Sequence, residues 1–127
     1  MSAERVIERI LDGEAVIGES DRLMSRKQAL VAAGAMIEPC SVLILDGASY
    51  RPIVVGDIAN LAANTTADLL AVNYFRLKAR TGTKRTALLY QDCRLNAKKL
   101  GGISALNTSQ KATLFAKMKA QNIQAGY

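Results

Sequence analysis

The sequence predicts a small, mainly β domain with one C-terminal α-helix and an extended N-terminal arm. Three observations predict it. Short apolar runs broken by glycine, proline and Asp-Gly signals fill the middle of the chain, one amphipathic stretch lies near the C-terminus, and the opening two dozen residues are acidic and glycine-punctuated. At 127 residues the chain has the length of one domain, enough to bury about two thirds of its unfolded surface.

The elements follow in order. Residues 2–11, "SAERVIERIL", place Val6, Ile7, Ile10 and Leu11 at helical spacing with Ser2 as N-cap and Gly13 as stop. A helix of about ten residues is marginal alone and needs a surface to lie against. "DGEAVIGESD", residues 12–21, reads as a linker or extended arm, so the chain divides into an arm at 1–24 and a body at 25–127. Residues 28–33 and 41–45 read as strands, and "DGAS" turns the second into "YRPIVV", giving a hairpin over 41–55. Pro52 cannot donate to a ladder, which predicts an edge or bulged strand there. Residues 56–68 read as a loop with room for one helical turn. Residues 69–79 resume as a strand with Leu70, Val72 and Tyr74 on one face and Phe75 and Leu77 on the other. "RTGTK" turns the chain and "RTALLYQD" returns it as a second hairpin. Asn107 or Thr108 then caps a helix over about 108–121 that buries Leu114, Phe115 and Met118.

Composition narrows the function. The chain has no histidine, which removes the usual general base and the commonest zinc ligand. The carboxylates come singly and no nucleotide or nucleophile motif is present, so no catalytic, cofactor or metal site is expected and the protein is read as a non-enzyme. Cys40 and Cys93 lack C-x-x-C spacing and read as two reduced, buried small hydrophobes of a cytosolic product, with a disulfide as the minor alternative. The longest apolar run, Ala29 to Ile37, is too short to span a bilayer. Half the residues are apolar, which in so small a domain suggests that some apolar surface is covered by subunit contacts.

Charge is unevenly placed. Up to Asp68 there are ten acids and six bases, a net of −4; from Leu69 onward eleven bases face Asp92 alone, a net of +10. The basic half should meet an acidic partner. Arg76, Lys78, Arg80, Lys84 and Arg85 form its densest cluster and are the candidate partner-facing surface. "GTKR" at 82–85 and "KKLGG" at 98–102 lack phosphate-loop spacing and read as solvated turns. A basic nucleic-acid-binding β-barrel module is the alternative reading, because the isoelectric point is near 9.6. Against it, the basic residues are not interleaved with a stacking platform of aromatics.

The order "SRKQALVAAGAMIEPCSVLI", then a hairpin, then "ADLLAVNYFRLKA", "RTALLYQDCRLNAKKL" and "TSQKATLFAKMKAQNI" resembles the phage lambda-type head decoration protein family. The positions that carry it are Ser25 and Arg26, Gly34, Val42 and Leu43, residues 94–100, Thr108, Gln110 and Lys111, and residues 122–123. Two departures stand out: segment 2–11 has no counterpart in that pattern, and Cys40 stands where a glycine often precedes the Val-Leu strand. A type I turn with Pro39 first is therefore expected at residues 38–41. The resemblance implies a β-clip-like or barrel domain that trimerises on the outer surface of a phage head at three-fold and quasi-three-fold sites. It would cement the major capsid protein there against DNA pressure, after synthesis in the host cytoplasm, touching neither membrane nor nucleic acid and using no cofactor. Its arm would order on the shell, which makes Val6, Ile7, Ile10, Leu11, Val16, Ile17, Leu23, Met24, Ser25 and Arg26 the expected capsid-binding residues.

Overall fold

In a computed structural model, which describes residues 15–19 and 25–125, the apolar runs become strands of two sheets. The elements are β1 (Val16–Glu19), β2 (Arg26–Val31), β3 (Val42–Asp46), β4 (Ser49–Pro52), a 3-10 turn at Val55–Asn60, β5 (Leu70–Asn73), β6 (Lys84–Leu89), β7 (Cys93–Leu95), a second 3-10 turn at Ala97–Lys99, α1 (Thr108–Ala120) and β8 (Ile123–Ala125). Strands β2-β4-β3-β5-β6 close a barrel, and β1-β7-β8 form a second, three-stranded sheet. The expected helix over 2–11 lies outside the described residues.

The β3–β4 hairpin forms as its sequence predicts. Gly47 has φ +70° while Ala48 is not in the left-handed region, the signature of a II′ turn, whose twist matches the flanking strands. Register then runs from Asp46↔Ser49 to Leu43↔Pro52. Arg51 holds the next segment in place, its guanidinium reaching Asp46 at 2.9 Å and Asp57 of the first 3-10 turn at 2.8 Å. Pro52 is not on an edge strand, because β4 lies between β3 and β2. It is tolerated because β4 meets β2 in parallel at the single register Val31↔Tyr50, so no ladder bond is asked of the Pro52 nitrogen.

The second hairpin is not the expected one. β6 meets β5 only at Val72↔Leu89 and Asn73↔Leu88, while it runs antiparallel to β2 over six pairs from Arg26↔Leu89 to Val31↔Lys84. That long-range pairing closes the barrel and removes its edges. The expected strand 69–79 accordingly stops at Asn73. Residues beyond it bend away, which buries Leu77 but leaves Phe75 45% exposed instead of sharing Leu77's face.

Period-2 alternation divides the core in two. Leu43, Ala71 and Leu88 join Val31, Tyr50, Ile37 and Leu77 in one cluster that fills the barrel. Their strand neighbours Val42, Ile44, Leu70, Val72 and Leu89 face the other way, into a larger cluster with Leu95, Leu114, Met118 and Ile123. That second layer is covered by α1 and the β1-β7-β8 sheet. α1 starts where predicted: the Asn107 side chain accepts the Gln110 amide at 2.8 Å and the Gln110 side chain accepts the Asn107 amide at 2.9 Å, a capping box. Leu114 and Met118 are fully buried, each contributing about 1.5–3 kcal/mol. Just past α1, Gln121 accepts the Leu70 amide at 3.0 Å and donates to the carbonyls of Leu70 (2.5 Å) and Tyr90 (2.7 Å). One side chain thus ties the helix end to β5 and to the residue that follows β6.

Part of the expected linker is a strand. Ala15 is wholly buried, its carbonyl accepts the Asn96 amide at 2.7 Å, and β1 pairs antiparallel with β7 from Val16↔Leu95 to Glu19↔Cys93 around a bulge. The four-residue run, one of whose positions is Gly18, is too short for alternation to show. The Pro39–Cys40 turn also differs from expectation: Cys40 has φ +61°, which belongs to type II and not type I geometry. Its neighbours hold it there. The Cys40 amide donates to Asn73 O at 2.8 Å, its carbonyl accepts Gly101 N at 2.9 Å, and its Sγ accepts the Ala15 amide at 3.4 Å. Tertiary bonds on three sides outweigh a left-handed cost of about 1–2 kcal/mol.

Candidate functional site

Beyond the barrel, two segments form a ribbon from residues 32–38 and 75–81. Gly34 and Arg80 exchange both main-chain bonds, at 3.0 and 2.9 Å, and so do Ile37 and Leu77, at 2.8 and 3.0 Å. In a regular antiparallel ladder such doubly bonded pairs recur at every second residue. These two pairs are three residues apart on both strands, so residues 35–36 and 78–79 fall out of the ladder. Ala33, Ala35, Met36, Phe75 and Ala79 are all exposed along it, with Met36 at 47%.

Asn73 anchors the ribbon's base. Its side chain is fully buried; Oδ1 accepts the Ser41 amide at 2.9 Å, and Nδ2 donates to the carbonyls of Glu38 (2.9 Å) and Phe75 (2.8 Å). Both ribbon strands are therefore fixed by one amide. Sequence reasoning passed over Asn73, whose signal was a lone amide closing an apolar strand, and over the exposed run at 33–36, whose signal was Gly34 among alanines.

The structure brings the predicted basic residues together. Arg76, Lys78, Arg80 and Lys84 line one cavity of about 410 Å³ with Leu77 and Ala79. Arg76 pairs with Glu38 at 2.7 Å. Arg80 donates through Nη1 to Lys78 O at 3.0 Å and through Nη2 to Ala32 O, while its buried Nε has no partner among the described residues. Arg85, the fifth, lies on β6 outside the cavity and reaches Gln28 O at 3.4 Å.

The predicted arm residues fall into two groups. Val6, Ile7, Ile10, Leu11, Leu23 and Met24 lie outside the described residues. Val16 packs on the core and Ile17 continues the β1 backbone. Ser25 is fully buried and donates to Glu19; Arg26 grips the same carboxylate at 3.0 and 2.7 Å. The Arg26 guanidinium also stacks 4.1 Å from the Tyr74 ring, which meets Phe75 edge-on at 5.0 Å. Ser25 and Arg26 thus belong to the body and join β1 to the ribbon's first aromatic.

A second cleft, of about 360 Å³, opens between Glu19, Asp92, Cys93, Arg94, Asn122 and Gln124. Burial, with the carboxylates of Glu19 and Asp92 nearby, pushes the Cys93 thiol up to about 12. Cys40 and Cys93 are free and buried. Both should resist an aromatic disulfide reagent at pH 8 in the folded protein and react fully only after denaturation. The raised thiol also has a stability consequence with a defined sign. The unfolded chain ionises Cys93 near pH 9 while the folded one does not, so its contribution is complete below that pH and is lost as pH rises through about 12. Cys93→Ala should flatten that alkaline fall in thermal stability.

Among the described residues, no group of three His, Cys, Asp or Glu side chains is placed to hold a metal, and no helix is long and apolar enough to cross a membrane. The ribbon sets clustered cations beside the exposed apolar side chains of Met36 and Phe75. Compared with known families, the chain matches the model of Bacteriophage lambda head decoration protein D over residues 6–123. The chain belongs to that family. No curated protein and no solved structure matches it. Membership of the head decoration family implies a structural role in decorating a phage capsid, a non-catalytic task, with the virion as its location. The barrel, the second sheet and the C-terminal helix are the architecture this member of the family adopts.

Proposed function

We propose that this head decoration protein binds the outer face of the capsid as a homotrimer at three-fold and quasi-three-fold sites, cementing the major capsid protein against the pressure of packaged DNA. The observation that carries this reading is the family match, which spans nearly the whole chain. The chain's physics supports it. The residues that precede β1 supply an arm that orders against the shell, where main-chain pairing gives affinity and alternate side chains give register. Once one arm of a trimer is bound, the others bind at high effective concentration. The basic face at Arg76, Lys78, Arg80, Lys84 and Arg85 meets the shell or a sister subunit and not the genome, which lies inside.

The test mixes purified protein with expanded, DNA-free capsids and follows sedimentation and electron-microscopic density. Saturable binding with density on the outside at three-fold positions is expected, and capsids so decorated should withstand heating that ruptures bare ones. A chain lacking residues 1–14, which keeps β1, should lose shell binding. Full binding by that chain would remove the arm from the account, and density inside the shell would overturn the reading.

A further inference from the structure

We propose that the ribbon of residues 32–38 and 75–81 is a docking site for an extended acidic segment of a partner chain, whose carboxylates enter the cavity formed by Lys78, Arg80 and Lys84. The first ground is the broken ladder. Ala35, Met36 and Ala79 make no main-chain hydrogen bond among the described residues, and their N–H and C=O groups stand at an exposed, irregular pair of strands. An added strand satisfies such groups.

The second ground is charge. Four cations line the cavity and, among the described residues, no acid does; Glu38 pairs with Arg76 at 2.7 Å. Arg80 is fixed at both Nη atoms by main-chain carbonyls, which holds its charge at the cavity wall. Lys78 and Lys84 supply the remaining charge. The third ground is the apolar rim of Met36 and Phe75, which suits a strand whose apolar side chains alternate with its acidic ones. A cavity of about 410 Å³ takes one or two carboxylate side chains, whereas nucleic acid would ask for aromatics to stack its bases, and Phe75 alone is exposed here. The inference deepens the reading above by giving the basic face a partner chemistry, and its test uses no capsid, so the two can fail separately.

The full chain, labelled with nitrogen-15, is titrated with the blocked peptide Glu-Leu-Glu-Leu-Glu, with its all-Gln counterpart, and with a ten-base oligothymidine. The acidic peptide should produce saturable shifts at the Ala35, Met36 and Ala79 amides and at the Arg80 Nε–H, and the Gln peptide should not. The double variant Lys78→Gln/Lys84→Gln should bind it about fivefold or more weakly, while Lys111→Gln/Lys119→Gln on α1 binds as the parent does. Tighter binding of the oligothymidine at equal salt would overturn the proposal, as would shifts spread over α1. Shifts at the same amides that grow with protein concentration alone would overturn it too, by assigning the site to a second copy.

Discussion

Asn73→Ala should destabilise the protein by about 3–5 kcal/mol, lowering the melting temperature by roughly 10–20 °C. The reason is that the side chain is wholly buried and each of its polar atoms is committed. Truncation leaves the Ser41 amide and the Phe75 carbonyl without their partner and the Glu38 carbonyl with Ser41 Oγ in place of two donors, and an unmet buried group costs about 1–3 kcal/mol. The loss also spreads. The Asn73 carbonyl accepts the Cys40 amide, so the strand end that moves is the one that holds Cys40 at positive φ. Asn73→Asp makes a sharper test, because it keeps the acceptor for Ser41 but sets a carboxylate oxygen against two carbonyls. It should be at least as damaging near neutral pH. Phe75→Ala, on an exposed neighbour, should change stability by less than about 0.5 kcal/mol. Thermal unfolding of the three variants decides the matter, and a cost below about 1 kcal/mol for Asn73→Ala would show that the ribbon's base is held by other means.

The same residue shows where the sequence stops being readable. The hairpin at Asp46 to Ser49 and the helix opened by Asn107 were legible because each is specified within four residues, by a glycine of positive φ and by a reciprocal cap. β6 was legible as a strand but not as the partner of β2, because its pairing spans more than fifty positions and local pattern favours the nearer β5. β1, β7 and β8 are three or four residues long, too short for period 2 to stand out, and they gain their ladders only from one another. Cys40 is the reverse case: its side chain argued against positive φ, and three tertiary bonds overruled it. Of the candidate site, the alternation at Arg76, Lys78 and Arg80 was visible as charge. Their shared cavity with Lys84 depends on the ribbon, and the ribbon depends on a lone asparagine.

Two truncations should behave differently, and the difference locates the boundary between arm and body. Removal of residues 1–14 should leave the melting temperature within a degree or two of the parent's, since the strand that packs begins at Val16. Removal of residues 1–24 should cost about 3–6 kcal/mol. It strips the buried Ala15 from beside Cys40, takes the partner of Asn96 N, and opens the β7 ladder along Cys93 and Leu95. It also takes Glu19 from the buried Ser25 and from Arg26. Cys93 offers a second readout, because a thiol uncovered on one side should react with the disulfide reagent in the folded state, which the parent and the shorter truncation resist. Equal melting temperatures for the two truncations, with Cys93 still protected, would show that β1 adds nothing to the body. The expected order bears directly on function: loss of shell binding on removal of residues 1–14 reports the arm alone, whereas loss on removal of residues 1–24 mixes the arm with a weakened body, so the shorter truncation is the one that can separate anchoring from folding.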